Sequence, residues 1–298
     1  MSEFTTLEYA TTGRIARITL NRPERGNAIT FEMPGELAAA VERASLDPAV
    51  HVIALAGHGK GFCSGYDLVA FAEQSAGGDI RADVPAGSPL DPRVQLANHQ
   101  PGATWDPLVD YAFLRRNVRA FMSLFHADKP VVGRIHGFCV GGGTDMALCA
   151  DLLVVEDEAR IGYPPARVWG APTTAMWVSR VGVTRARRLL FTGDTISGRE
   201  AVEWGLAVES APRAALDDRF ERLLARIAAV PINQLMMMKL LVNQAVARDG
   251  LDGDQVLGTI LDGIARHTPE GYAFQQRARE AGWRAAVRER DAPFGEES

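Results

Sequence analysis

Apolar residues recur along this chain in two rhythms. Arg14-Ile15-Ala16-Arg17-Ile18-Thr19-Leu20 alternates, as expected of a half-buried strand, and Val52 to Ala56 is a short apolar run suited to a fully buried one. Between them, Leu37, Ala40, Val41 and Ala44 keep helical spacing, and Asp47-Pro48 marks a stop because proline cannot continue a helix. A second round follows. Asp106-Pro107 has the form of an N-cap with proline at the first helical position, predicting a helix to about Phe125. Val131 to His136 and Leu152 to Val155 then read as strands.

Residues 76–105 are rich in Gly, Pro, Asp and Ala with little periodicity, and are read as a surface insertion rather than an ordered lid. From Pro212 onward the strand signal disappears. Phe220, Leu223, Leu224 and Ile227 form a helical stripe that Pro231 breaks, and further helices are predicted near 233–247, 254–266 and 270–289. The fold class is therefore α/β, with an α/β portion over 1–211 and a helical C-terminal portion over 212–298. No internal repeat shows at a fixed period.

Composition narrows the functional classes. The chain has 298 residues, 32 Lys and Arg against 37 Asp and Glu, and a net charge of −5. A mildly acidic chain without a basic block offers no footprint for nucleic acid. The start lacks the pattern of a signal peptide and no run approaches a membrane span, so a cytoplasmic protein is expected. Cys63, Cys139 and Cys149 lack CxxC spacing, which argues against a disulfide framework or a zinc site; no metal is expected.

Two loops carry candidate chemistry. Gly57-His58-Gly59-Lys60-Gly61-Phe62-Cys63-Ser64-Gly65-Tyr66-Asp67-Leu68 follows one strand, and His136-Gly137-Phe138-Cys139-Val140-Gly141-Gly142-Gly143-Thr144-Asp145 follows another. A strand entering a glycine-rich turn and then a helix leaves backbone N–H groups without intrahelical acceptors. Two such groups converging on one point would form an oxyanion hole or a phosphate cradle. Neither a GxGxxG nor a GxxxxGK[ST] motif is present, and Ser64 lies one place too late for GxSxG.

Four blocks resemble those of the crotonase (enoyl-CoA hydratase/isomerase) superfamily. They are Leu20-Asn21-Arg22-Pro23-Glu24-Arg25-Gly26-Asn27-Ala28, the Phe62–Leu68 loop, Lys129-Pro130-Val131-Val132 through Gly141-Gly142-Gly143 to Ala150-Asp151, and Leu190-Phe191-Thr192-Gly193 with Ala201 and Gly205-Leu206-Ala207. The resemblance implies a crotonase-like spiral of repeated ββα units with a helical C-terminal region serving oligomerisation and site closure. It implies an acyl-CoA substrate, with coenzyme A part of that substrate and no tightly bound cofactor, and a homotrimer or dimer of trimers.

The same resemblance places the oxyanion donors on the N–H groups of Ser64 and Gly142. It places the coenzyme A moiety along Arg25, Ala28 and the loop holding Phe62, Ser64, Gly65, Tyr66, Asp67 and Leu68, with Arg25 and Lys60 as phosphate partners. Gly141, Tyr163, Pro165, Arg167 and Trp169 fall at the acyl pocket. Of the two acid/base positions that the family's hydratases fill with Glu, the first is Asp145 here and the second is Pro165, which cannot titrate.

The expected function is an acyl-CoA enzyme of the enoyl-CoA hydratase/isomerase type that stabilises a thioester enolate. Alternatives on the same scaffold are an acyl-CoA decarboxylase, a thioester hydrolase, or a catalytically silent CoA-binding protein. His136 reads as structural, whereas His58 and His99 lie in loops whose placement the sequence leaves open. Met236-Met237-Met238 reads as core packing.

Overall fold

The computed structural model describes residues 4–69, 84–248 and 250–295. Its nine strands are β1 (Leu7–Thr12), β2 (Ile15–Leu20), β3 (Val52–Gly57), β4 (Val131–Ile135), β5 (Phe138–Val140), β6 (Leu152–Glu156), β7 (Arg160–Gly162), β8 (Thr195–Ile196) and β9 (Glu209–Ala211). Six of them form one sheet in the order β1-β2-β3-β4-β6-β9, and β5-β7-β8 form a smaller one. β1 and β2 make an antiparallel hairpin, while every later neighbour in the large sheet is parallel.

The path repeats itself. β4 runs into β5 and then helix α4 (Gly142–Ala147), and β6 runs into β7 and then helix α5 (Met176–Thr192) after a 3-10 turn at Pro164–Arg167. β3 leads likewise to Cys63, which bridges Cys139 of β5, with the Val140 N–H donating to the Cys63 carbonyl at 3.1 Å. Strand, short strand and helix thus stack turn upon turn, which is the ββα spiral expected above.

Alternation explains why the buried strands are apolar throughout. Ile53, Leu55, Val131, Ile135, Leu153 and Val155 join the core beneath α1 (Met33–Leu46) and α3 (Pro107–His126). Their neighbours Val52, Ala54, Val132 and Val154 face the other way and pack against Leu216, Phe220 and Leu224 of α7 (Arg213–Ala228). Sheets covered by helices on both faces need apolar residues at both parities. The strand Glu209–Ala211 is followed by α7, which supplies one whole cover of the sheet.

Within the described part of the segment read as a surface insertion, α2 (Pro92–Asn98) starts at Asp91, whose carboxylate accepts from the Arg93 N–H at 2.9 Å. The residues 76–83 lie outside the described residues. The single helix foreseen over 270–289 is two, α10 (Pro269–Ala281) and α11 (Trp283–Asp291), broken at Gly282 with φ +84°. The predicted helices before them are α8 (Ile232–Ala247) and α9 (Leu251–Arg266), preceded in the chain by the short α6 (Gly198–Glu203).

If α7 belongs to the core of the sheet, Phe220→Ala should cost about 3–5 kcal/mol, the usual range for a buried aromatic truncated to alanine. Urea unfolding with a single transition measures this. A loss under about 1 kcal/mol would show that α7 is an appendage.

Candidate active site

The ends of β3 and β4 point the same way, so the loops that follow them meet. There they border a cavity of about 760 Å³ whose wall includes Ser64, Gly65, Tyr66, Leu68, Gly141, Gly142, Tyr163, Pro165 and Trp169. The sequence placed all nine at the site. A methyl group at Gly142 would sit 2.8 Å from the Tyr66 ring and 3.0 Å from Ile29, so glycine alone lets the two loops touch. Pro165 closes on the same turn, its Cγ 3.2 Å from where a Gly141 side chain would begin.

The remaining expected residues are elsewhere. Arg25 and Lys60 are exposed, and Phe62 is sealed in the core. Ala28 and Asp67 are buried and both are held by Arg22, whose guanidinium donates to the Ala28 carbonyl at 2.6 Å and to the Asp67 carboxylate at 2.9 Å. These two residues fasten the loops rather than line the cavity. Arg167 is not an acyl-group ligand either. Its side chain is 1% exposed, donates to Asp291 at 2.9 Å and to the Thr192 carbonyl at 3.0 Å, and lies over the Phe294 ring.

Ser64 requires a further correction. Its N–H donates to the Gly26 carbonyl at 3.0 Å, so that donor is committed within the fold. One residue on, Ile29 donates to the Gly65 carbonyl and Asp67 donates to the Ile29 carbonyl. This parallel pairing turns the N–H and carbonyl of Tyr66 away from Ile29.

Asp145 is the most unusual titrating group. It is fully buried in the first turn of α4 and lies outside the cavity wall. Oδ1 accepts from the Thr174 N–H at 3.0 Å and the Thr174 hydroxyl at 2.8 Å, while Oδ2 is buried without a partner. Burial pushes its pKa up to about 7, against the Thr174 hydrogen bonds, which pull it down; the charge of Asp262 adds to the rise. Asp145 is thus a carboxyl behind the wall.

The C-terminal helices supply the part of the wall that sequence reasoning missed. Asp262 and Arg266 of α9, Phe274 of α10 and Trp283 of α11 all face the cavity. Trp169 stacks on Trp283 with centroids 5.5 Å apart at 16°. Arg266 donates to Asp262 at 2.7 and 3.1 Å, and the other Asp262 oxygen accepts from the Ala171 N–H at 3.0 Å. The one available signal was a pair of opposite charges four apart on a predicted helix.

The histidines separate cleanly. His58 pairs with Glu8 at 2.9 Å on the surface, and His136 is buried against the Gly59 carbonyl, its pKa lowered to about 4 by burial. His99 reaches the cavity wall, but its ring nitrogens turn to the Gln95 carbonyl at 2.7 Å and toward Asp110 at 3.3 Å. Asp110 also accepts from Trp105 at 2.8 Å and pairs with His267 at 3.0 Å. His99, Asp110 and His267 place ligand atoms within 4.8 Å, the one such group among the described residues. The two imidazoles are stacked, centroids 4.7 Å apart at 25°, and each turns its Nε2 toward the Asp110 carboxylate.

The enoyl-CoA hydratase/isomerase family model matches residues 15–266. The chain belongs to that family. A crystal structure of an enoyl-CoA hydratase from Mycobacterium smegmatis is 52% identical, with a TM-score of 0.92 over 99% of this chain and 96% of that one. A probable enoyl-CoA hydratase of Mycobacterium tuberculosis is 30% identical over 86% of this chain and 88% of its own length. A 1,2-epoxyphenylacetyl-CoA isomerase of Escherichia coli is 28% identical over 78% and 79%. The protein is an acyl-CoA-processing enzyme of the hydratase/isomerase type with the crotonase fold.

Asp145 gives a signed pH test. Its folded pKa of about 7 lies above the ordinary 3.8, so the stability it contributes is complete below about pH 4 and is lost as pH rises through 7. The full loss is on the order of 4 kcal/mol. Asp145→Asn cannot ionise, so unfolding free energies should diverge between pH 4 and pH 8, in favour of the variant at pH 8. Parallel pH profiles for the two proteins would show that Asp145 is not the buried, reluctant acid described.

Proposed function

We propose that the enzyme moves a proton at the α-carbon of a bulky acyl-CoA through a thioester enolate, with Gly142 supplying one oxyanion donor. One observation carries the reading: the Gly141–Gly142 turn and the Ser64–Tyr66 loop share a single cavity whose far wall is aromatic. A preorganised N–H aimed where negative charge develops is worth about 3–4 kcal/mol in such reactions. The adjoining Tyr66 peptide, rather than Ser64, is assigned the opposing donor. Arg25 and Lys60, exposed on neighbouring loops, are assigned to the coenzyme A phosphates outside the cavity.

Phe31, Phe113, Phe138, Phe274, Trp169 and Trp283 favour a large flat or branched acyl group over a short chain. Hydration of a small enoyl thioester is disfavoured by the same residues that make the site. The position of the second Glu is Pro165, and Asp145 has no face on the cavity. Losing a general acid or base costs about 10²–10⁴-fold. Crotonyl-CoA hydration, followed by loss of enoyl absorbance, should run at least about a thousandfold below a two-Glu enzyme. In D₂O the protein should nevertheless exchange the α-hydrogens of an arylacetyl- or long-chain 3-enoyl-CoA. Fast crotonyl-CoA hydration, or no exchange across a panel of such thioesters, would overturn the proposal.

We also propose assembly into a homotrimer or a dimer of trimers through α8 and α9. Of the sixteen residues of α8, only Lys239 is buried. Leu240, Leu241 and Val242 are 62–66% exposed, and Val256, Leu257, Ile260 and Ile264 of α9 add to the apolar surface. Met237 and Met238 lie on this surface too, so the methionine run is not core as the sequence suggested. Contiguous apolar patches of this kind mark interaction sites. Light scattering should give a multiple of 32.2 kDa, and Leu241→Glu with Val242→Glu should shift it to the single-chain mass. A monomer at micromolar concentration for the unmodified chain would refute assembly.

A further inference from the structure

Proton transfer at an α-carbon needs a base that can reach it, and the two positions where the family resemblance sought one do not supply it. Asp145 is sealed behind the cavity wall and Pro165 has nothing to titrate. The ionisable side chains that do form the wall can be taken in turn. Both Asp291 oxygens accept from guanidinium groups, Oδ1 from Arg167 and Arg290 and Oδ2 from Arg290, so neither is clear of a cation. The His99 nitrogens turn away from the cavity, toward Gln95 and Asp110. The Tyr163 hydroxyl donates to the Ala171 carbonyl at 2.8 Å, and burial raises its pKa well above the ordinary value. The Tyr66 hydroxyl accepts from the Asn117 amide at 3.3 Å, and burial raises its pKa too. The arginines of the wall are permanent cations.

Asp262 remains, and its position is informative. It lies in the last turn-and-a-half of α9, 5% exposed, among the residues lining the cavity. Gly170 intervenes between it and Pro165: a methyl group there would lie 3.1 Å from Pro165 Cβ and 3.4 Å from Asp262 Oδ1. With φ at +140°, Gly170 is in the region that favours glycine, and its missing side chain leaves Asp262 and Pro165 facing one another. Pro165 in turn abuts Gly141. The carboxylate therefore enters the site at the place vacated by the second Glu, carried by a helix more than ninety residues later in the chain.

We propose that Asp262 is the acid/base residue of this site, presented by α9 in place of the carboxylate that Pro165 removes. This rests on the enolate reading above. For a 3-enoyl thioester, Asp262 Oδ1 takes the proton from C2. The C2–H electron pair moves into the enolate, and the carbonyl oxygen takes the charge against the Gly142 N–H. The same proton then returns to C4 as the double bond moves to C2–C3, so atoms and charge balance and no co-reactant is consumed. Arg266 holds Asp262 Oδ2 by two hydrogen bonds and the Ala171 N–H donates to Oδ1, so the carboxylate is fixed and only Oδ2 is paired with a cation.

The test is α-deuterium incorporation into an arylacetyl-CoA in D₂O, read by mass spectrometry, together with the Kd for the same thioester. Asp262→Asn should slow incorporation by about 10²–10⁴-fold while Kd changes less than about threefold. Asp262→Glu should recover part of the rate with a displaced pH profile, which a purely structural role would not give. Asp145→Asn should stay within about tenfold of the unmodified enzyme. Removing one partner of a buried ion pair is destabilising, so Asp262→Asn combined with Arg266→Gln supplies a neutral pair if the single variant does not fold. Incorporation at the unmodified rate in folded Asp262→Asn, or in the folded double variant with Arg266→Gln, overturns the assignment, as does loss confined to Asp145→Asn. If the unmodified enzyme itself incorporates no deuterium, the enolate reading fails, and this assignment with it.

Discussion

Everything at this site depends on how closely two strand-end loops can approach. A methyl group at Gly137 would fall 1.9 Å from the Lys60 carbonyl oxygen, and one at Gly143 would fall 2.7 Å from the Cys63 carbonyl oxygen. No side chain fits at either point. Because none is there, residues 60–66 and 137–143 lie backbone against backbone, and the Cys63–Cys139 bridge ties them. The glycines that looked like a phosphate cradle are first of all a packing requirement. The placement of the proposed oxyanion donors follows from it.

A second constraint shapes the tail. α8 is reversed relative to an ordinary surface helix: its lysine is inside and its leucines are outside. Lys239 donates to the carbonyls of Leu124 and Lys129 at 3.0 and 3.1 Å and to Asp151 at 2.8 Å. All three of its protons are satisfied, the condition under which a buried ammonium is tolerable. Asp151 also accepts from the Val131 N–H at 2.6 Å, so the same carboxylate fixes the start of β4 and the seat of α8. With Lys239 and Asn243 both donating inward, the second to the Phe125 carbonyl at 2.7 Å, Leu240, Leu241 and Val242 are left outward.

Much of this was legible in the sequence, and the reasons are local. β2, β3, β4 and β6, α1 and α3 announced themselves through periodicity that burial enforces, and Asp106 caps α3 as its position suggested, accepting from the Leu108 N–H at 2.9 Å. The short strands β5, β7 and β8 were not legible, because three or fewer residues cannot establish a period. α5 escaped notice because Gly182, at φ +75°, interrupts it. Among the site residues, those lining the cavity from the two glycine loops could be listed in advance. What could not be read was which groups the fold had already engaged: the Ser64 N–H by Gly26, Arg167 by Asp291, Asp67 by Arg22. Hydrogen-bond commitment is a property of three-dimensional neighbours, and residue type does not encode it.

The two carboxyl groups illustrate how a scaffold divides such roles. Asp145 sits in the position of a reactive group but in the environment of a structural one. It is surrounded by the core, holds Thr174, and resists ionisation through burial. Asp262 sits where no motif points, on a helix whose periodicity says only that it packs, yet it faces the cavity with a cation beside it. The backbone donors of the glycine turn are intrinsic to the spiral and cannot be moved without dismantling it. An acid/base group, by contrast, needs only to reach one carbon, and any element that covers the cavity can carry it. α9 covers it. Its opposite face is the apolar surface assigned to assembly, so the helix that would meet a neighbouring subunit is also the one that holds Asp262 in place, and packing between subunits would bear directly on the position of that carboxylate.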